Sequence, residues 1–501
     1  ARFAEIQHSD AAERAKFAAD AWCAAFVAPK TSGDAVITDE VVRNCSKSPE
    51  KVPTEVRAAV EAMADQYRFL HLHVTFPEVF VVPEESDAAE NQLTGWSGGF
   101  DVVLGNPPWD QIQYDPQETF AVSHPEIAMA ATMASRNKLI AKLEHDEPDT
   151  FASYLEDVRN LDGVKHLAHA TGRFPLGSVG RLNTAPLFVE LMWNAISPAG
   201  RVGVVAPTGL ATDSFTQGLF NALVDRASLA SLYDFENRLA IFPGVHRGYK
   251  FSLMTLSGVD RPIDEAEFVF FALEVGDLDD PEKRFNLSST DFQLLNPNTR
   301  TCPVFRSRRD AEITKGIYRR MPILFNETIS DGDPWGFSCL LMFMGTDQAA
   351  IDANDLADPS PLYEGKMVAG YDHRSSDVYR SPTARKRQAQ SRAIASTEHE
   401  DPSRTARSMH FVESSAVSEA LDAVRWTHDW LLAWKDVTSA SNERTLIASV
   451  LPRVGCNDSL PVFISDRPPS ALACCLGALN SFALDYVSRQ KVGGLHVRLH
   501  I

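Results

Sequence analysis

Four consecutive residues, Asn106-Pro107-Pro108-Trp109, carry the groups in this sequence best suited to chemistry. Asn106 offers a carboxamide oxygen as a hydrogen-bond acceptor. Pro107 offers a carbonyl that no helix can claim, because each proline lacks an N–H and pushes the residue before it out of the helical region. Two acceptors converging on one NH₂ group would hold both hydrogens and aim the nitrogen lone pair at an electrophile. Trp109 adds a flat apolar face, and stacking of that kind is worth about 1–3 kcal/mol per nucleobase. The combination suits the exocyclic amine of a purine that has left the duplex.

Such residues need a rigid platform. The apolar run at 102–104 reads as a buried strand ending at Gly105, so the loop would leave the carboxyl end of a strand, where ligands bind in open α/β sheets. Downstream, a helix opens at Leu182-Asn183-Thr184 and stops near Pro198 and Gly200. A strand follows over 201–207, then a helix capped by Asp213 or Ser214 and ending near Arg226, then strands over 229–235 and 249–256. Strand–helix alternation predicts a mostly parallel, doubly wound sheet, and an α/β fold class. Upstream, Ser9 should cap a helix to Val27, and a second should span 53–69. His71 and His73 alternate like strand residues; without a third ligand nearby, no metal site is expected. Residues 110–180 read as a polar insertion of solvated helical faces, including Asp146-Glu147-Pro148-Asp149, His166 and His169, or as a lid. An amphipathic helix is expected over 470–491.

The run Phe100-Asp101-Val102-Val103-Leu104-Gly105-Asn106-Pro107-Pro108-Trp109 resembles the catalytic motif of the amino-group DNA methyltransferases, written Asn-Pro-Pro-Tyr/Phe/Trp in the adenine-specific branch. Ile241-Phe242-Pro243-Gly244-Val245-His246-Arg247 resembles the motif whose aromatic covers the other face of the extruded base, with Phe242 as the matching residue. Asn183, Pro198-Ala199-Gly200 and Val205-Ala206-Pro207 match the same family in the same order, and residues 71–80 are similar to its segment before the catalytic motif. Trp434-Lys435-Asp436-Val437, residues 441–448 and residues 485–494 look like the C-terminal half of the large methylases of type IIG restriction–modification and of DISARM and BREX phage defence.

The resemblance implies a partial doubly wound methyltransferase sheet plus a mixed α+β target-recognition region, acting on double-stranded DNA with S-adenosyl-L-methionine as cofactor. Asn106, Pro107 and Trp109 would be catalytic, and Trp109 and Phe242 would sandwich the base. The family's Gly-rich cofactor loop is not visible; Gly98-Gly99 lacks the needed strand before it. The reading is therefore of a fragment, with the cofactor motifs N-terminal to it and a sheet left with an open edge. Asp101 and Asn183 are the candidates for cofactor contact within this chain. The cytosine branch favours Ser at the position of Asn106, and the protein-amide branch lacks a second half like this one. Glu364-Gly365-Lys366 reads as a chance match to a nuclease motif.

Bulk properties fit this picture without deciding it. The 501 residues, 44% hydrophobic and 23% charged, describe an ordinary globular chain with room for several domains. Three regions are expected: 1–99, 100–258 with the insertion at 110–180, and 259–501. Seven Cys, an odd number without a Cys-x-x-Cys pair, read as reduced, buried thiols of a cytoplasmic protein. No apolar run reaches the length of a membrane span. A net charge of −19 argues against sequence-blind nucleic-acid binding but leaves room for a local basic groove. The tract after Tyr371 offers one: His373, Arg374, Arg380, Arg385, Lys386, Arg387, Arg392, Arg404 and Arg407, joined later by Arg489 and Lys491. The competing reading is a non-catalytic DNA-binding or assembly subunit of a phage-defence complex.

Overall fold

The computed structural model describes every residue except 1–8, 31–32, 34, 85–86, 131, 346–349, 351, 382–388, 440–441, 493–495 and 498–501. The chain forms two compact units, Ala1–Phe268 and Val269–Ile501.

The first unit opens with three helices, α1 (Asp10–Val27), α2 (Asp39–Lys47) and α3 (Thr54–Tyr67), packed on Ala21, Ala24, Cys45, Val56 and Val60. Ser9 caps α1 as the sequence predicts, its Oγ accepting from the Ala12 N–H at 3.3 Å. His71 and His73 do not lie on a strand: Leu72–Thr75 is a single helical turn, and buried His71 hydrogen-bonds Asp20 at 2.8 Å. That pairing gives the imidazole a structural partner, and among the described residues no group of three metal-ligating side chains forms.

Strand β1 (Phe100–Gly105) follows. Gly99 leads into it with φ +135°, where a Cβ would stand 2.5 Å from the Ile196 carbonyl carbon, so glycine serves close backbone approach here. The insertion is helical. α4 (Met133–Asp146) and α5 (Pro148–Ala170) meet at the acidic joint, where Glu147 accepts from His124 at 3.1 Å. α4 has its own small core with Phe120, Ile127, Ile140 and Leu143, while α5 lies against α1, with Tyr67 bonded to Asn160. Next come α6 (Thr184–Asn194), β2 (Ile196–Ala206), α7 (Gln217–Asp225), β3 (Leu229–Glu236) and β4 (Lys250–Ser257).

The fold is α/β, but the sheet is not mostly parallel. Within the first unit the strand order is β1-β2-β4-β3. β1 and β2 are parallel, pairing Val102 with Arg201 and Gly105 with Val204. β4 is antiparallel to both β2 and β3. The cause is the connection: residues 237–249 hold no α-helix, so the chain cannot cross over and turns back as a hairpin, inserting β4 between β2 and β3. β1 is the edge strand. Val102 and Leu104 are 67% and 82% exposed, so the run is not the buried strand its apolar residues suggest; with β2 pairing on one side only, it is the open edge expected of a partial sheet.

The second unit is mixed α+β. Helix α8 (Arg308–Tyr318) precedes β5 (Ser338–Leu340), the hairpin β6 (Ser376–Arg380) and β7 (Ala389–Ala393), and strands β8 (Trp430–Trp434), β9 (Ala448–Pro452) and β10 (Val462–Ile464). β9, β8, β10 and β5 form an antiparallel sheet over a core that includes Leu431, Leu451 and Phe463. The helix expected over 470–491 is two helices, α9 (Pro469–Leu479) and α10 (Phe482–Lys491), bent by 63°. Asn480 breaks them apart by bonding both backbone groups of Ala448, and Ser481 caps α10. No single described helix is long and apolar enough to cross a membrane. All seven cysteines are free thiols; Cys474 is exposed, so they are not uniformly buried.

Candidate active site

The loop after β1 is pinned by the start of α6. Thr184 Oγ1 donates to the Pro108 carbonyl at 2.7 Å and accepts from the Asp110 N–H at 2.9 Å. The Thr184 N–H donates to the Asp110 carbonyl at 2.9 Å. Asn183 Nδ2 donates to the Trp109 carbonyl at 3.0 Å, while its Oδ1 accepts from the Ala185 N–H at 2.8 Å as the cap of α6. Pro108, Trp109 and Asp110 are thereby fixed through their backbones. The two acceptors before them are left free: neither the Asn106 amide nor the Pro107 carbonyl has a hydrogen-bond partner among the described residues, and Asn106 is exposed. The Trp109 ring is half-buried with its indole N–H buried and unpartnered, so it is neither a core residue nor a free flap.

Phe242 lies in the β3–β4 hairpin. Sequence reasoning missed the residue that holds it, fully buried Asn237. Its Nδ2 donates to the carbonyls of Phe242 at 3.0 Å and Val245 at 2.9 Å, and its Oδ1 accepts from the Phe242 N–H at 2.9 Å. The Phe242 ring stands edge-on to Phe251 at 5.0 Å, and Phe251 stacks on Phe235 at 5.2 Å. Supported from beneath, Phe242 remains 38% exposed.

Strand directions bring the two loops to one end of the sheet. β1 and β2 end there; β4, antiparallel to β2, begins there; β3, antiparallel to β4, ends there. Residues 106–110 and 237–249 therefore leave the same edge, two to three strands apart, or ~10–14 Å at the usual strand spacing. The strand ends between them are tied together: Thr208 donates to buried Asp234, and Ser252 Oγ donates to the Ala206 carbonyl at 3.0 Å.

The two candidates for cofactor contact do not build a pocket. Asn183 spends both ends of its amide on the cap and the Trp109 carbonyl, which makes it a loop anchor. Asp101 stands exposed on the edge strand. Gly98 and Gly99 press against the backbones of Val79 and Ile196 instead of forming an open cradle. The described residues do not by themselves fit S-adenosyl-L-methionine.

The basic tract, expected as phosphate contacts or as a solvated loop, is laced with partners of its own. Arg374 donates to the carbonyls of Asp401 and Arg404, both at 3.0 Å. Arg392 and Arg404 grip Asp377 at 2.8 and 2.6 Å. Burial pushes the Asp377 carboxyl up, but Arg404, the Arg407 N–H and Arg392 outweigh it and hold it at about 2. Burial pushes the His373 imidazole below its ordinary range, against the pull of Asp372. Arg489 bonds Asp485 at 3.2 Å and the Glu443 carbonyl at 3.0 Å. The Lys491 amine lies over the Tyr318 ring at 4.8 Å. Arg374, Arg404 and Arg489 are therefore bonded to groups of the second unit itself, while Arg392, though paired, stays exposed. Arg385, Lys386 and Arg387 lie outside the described residues.

No protein-family model matches the chain, and no curated protein does. Among solved structures, it is similar to a nuclease-deletion mutant of the Type ISP restriction-modification enzyme LlaGI in complex with a DNA substrate mimic, at 11% identity and a TM-score of 0.36, over 88% of this chain and 44% of that one. It is similar to the ATP-dependent Type ISP enzyme LlaBIII bound to DNA at 8% identity and 0.35, over 89% and 30%. It is also similar to the Type IIL enzyme MmeI in complex with DNA at 8% identity and 0.31, over 76% and 42%. The chain spans less than half the length of each of these three enzymes, and likeness at these scores carries no conclusion about activity.

Proposed function

We propose that this chain supplies the base-holding part of a site-specific DNA adenine N6-methyltransferase of a restriction–modification or phage-defence system. One observation carries the reading: the free acceptors of Asn106 and Pro107 sit on a loop whose next three residues are pinned, at the sheet end that also presents half-open Phe242. An adenine extruded from double-stranded DNA, at a cost of a few kcal/mol, would lie between the Trp109 and Phe242 rings. Asn106 Oδ1 and the Pro107 carbonyl would accept the two N6 hydrogens and turn the lone pair away from the ring. Positive charge developing on that nitrogen would be stabilised by the same two oxygens, next to a backbone pinned from Pro108 to Asp110. S-adenosyl-L-methionine would supply the methyl group.

The test is to express the full-length gene product in a host without DNA methyltransferases and map modified bases by single-molecule sequencing. N6-methyladenine at one recurrent motif, abolished by Asn106→Ala with DNA binding retained, is the expected result. Modified cytosine, or undiminished N6-methyladenine in the variant, overturns it. A second reading rests on the poor fit of Asp101 and Asn183 to the cofactor: a non-catalytic DNA-binding or assembly subunit. Labelled S-adenosyl-L-methionine separates the two, since absence of uptake by the full-length protein favours the subunit.

A further inference from the structure

The second unit carries a partly open pocket of about 250 Å³ to which none of the residues discussed for base holding contributes. Its walls are largely apolar, and four aromatic rings stand among the aliphatic side chains: Phe325, Phe337, Trp434 and Phe463, with the Phe337 and Phe463 rings 4.6 Å apart. Two polar groups on this lining lack partners. Lys491, at the end of α10, makes no hydrogen bond or ion pair among the described residues, and its ammonium lies 4.8 Å over the Tyr318 ring. Asn296 is 7% exposed; its Nδ2 donates to the Thr301 carbonyl at 2.7 Å, but its Oδ1 has no partner.

An amine in such a place is costly, because burial without a counter-ion disfavours its charge. Burial pushes the Lys491 amine down to about 7. The other titratable side chain on the lining is Tyr318, whose phenol burial pushes above its ordinary range, so it stays neutral and offers no counter-charge. A methionine would fill the same space without the penalty. A half-buried amine without a counter-ion among the described residues and an unpaired acceptor, on the lining of one apolar pocket, are what a binding site looks like before its ligand arrives.

We propose that this cavity binds a small flat aromatic carboxylic acid, its ring between the aromatic walls, its carboxylate on Lys491, and a hydrogen-bond donor of the ligand on Asn296 Oδ1. The volume lies just below the range of about 300–1,000 Å³ usual for drug-sized ligands, which limits the occupant to one or two rings with a short arm. The proposal is independent of the base-holding site.

2-Naphthoate is a suitable probe, with 2-naphthalenemethanol as its uncharged counterpart, each titrated into the full-length protein by calorimetry. Naphthoate should bind at least tenfold more tightly than the alcohol at pH 6.5. Its affinity should fall about tenfold per pH unit above pH 7, because binding must then take up a proton. Lys491→Met should cost the acid at least tenfold and abolish the pH dependence, while leaving the alcohol's affinity unchanged; that last reading certifies an intact cavity. Equal affinities for acid and alcohol, undiminished acid binding by Lys491→Met, or binding of neither probe would overturn the proposal. Loss of alcohol binding by Lys491→Met would direct the same comparison to Lys491→Arg, where retained acid preference supports the proposal and its loss overturns it.

Discussion

Thr184→Val separates positioning from folding at the proposed active site. The substitution keeps the β-branched shape and removes one hydroxyl. That hydroxyl donates to the Pro108 carbonyl at 2.7 Å and accepts from the Asp110 N–H at 2.9 Å. A net hydrogen bond is worth about 0.5–1.5 kcal/mol, and both abandoned groups lie where water can reach them. The stability cost should therefore be ~1 kcal/mol, a fall of about 2–4 °C in melting temperature for a unit of this size. A protein stable by the usual 5–15 kcal/mol remains almost entirely folded after such a loss, so depletion of native enzyme cannot slow turnover measurably. The loop, however, loses two of its anchors just after the acceptor pair, and a misplacement of about 1 Å can cost ~100-fold in rate. The assay pairs differential scanning calorimetry with methyl transfer to plasmid DNA by the full-length protein. The expected result is a small thermal shift with a loss of ten- to a hundredfold in rate at unchanged DNA affinity. An unchanged rate would refute the claim that this threonine positions the acceptors.

Three further substitutions probe other parts of the molecule. Phe242→Ala removes a ring that is 38% exposed and braced by Phe251; it should weaken binding of duplex carrying 2-aminopurine at the target base by ~10-fold or more, from a stacking term of about 1–3 kcal/mol, and unchanged fluorescence enhancement would exclude the ring from the base site. Asp377→Asn removes a carboxylate whose folded value is lowered from 3.8 to about 2, which at about 1.4 kcal/mol per pH unit is worth ~2 kcal/mol at neutral pH. Because the folded value is depressed, that stability is present above pH ~4 and fades as pH falls toward 2, so the gap in stability between wild type and variant should shrink by about half at pH 3; a constant gap would place the effect elsewhere. Leu104→Lys puts a charge on an edge strand where the leucine is 82% exposed; sedimentation should show less self-association with no loss of melting temperature, whereas a drop of several degrees would mean that Leu104 is packed.

What could be read from the sequence was what local covalent geometry decides. Two consecutive prolines after a short apolar strand fix the character of residues 106–109 wherever they occur, and Ser9 and Asn183 announce helix starts by side-chain type alone. The hidden parts depend on partners distant in sequence or on the path of a connection. Strand–helix alternation is equally compatible with a parallel crossover and with the hairpin that places β4 between β2 and β3. Asn237 gave no signal because its task lies in the turn it closes. Thr184 was visible beside the cap of α6, but only the fold brings Pro108 to it. The basic tract hid its partners for a related reason: nothing in a run of arginines announces that Asp377 and Glu398 stand against Arg392 and Arg404. The helix expected over 470–491 carried its own warning in Asn480-Ser481, a pair suited to ending one helix and capping the next.

The anchoring of the two loops bears on which reading of the chain is preferable. A solvent-facing asparagine means little by itself, since water satisfies its amide at no cost. The Asn106 amide differs in that its surroundings are immobilised by bonds that avoid it: Thr184 and Asn183 take the backbone groups of Pro108, Trp109 and Asp110, and stop there. Asn237 does the same for Phe242, holding the backbone and leaving the ring half-open. Folding thus bears the entropy of ordering both loops before any substrate arrives, at about 1–2 kcal/mol per fixed residue. A subunit that merely gripped DNA or docked on a partner would gain nothing from two acceptors left unsatisfied beside a pinned backbone at a sheet end. A site that must meet one amine in one orientation gains the whole of that preorganisation in its rate.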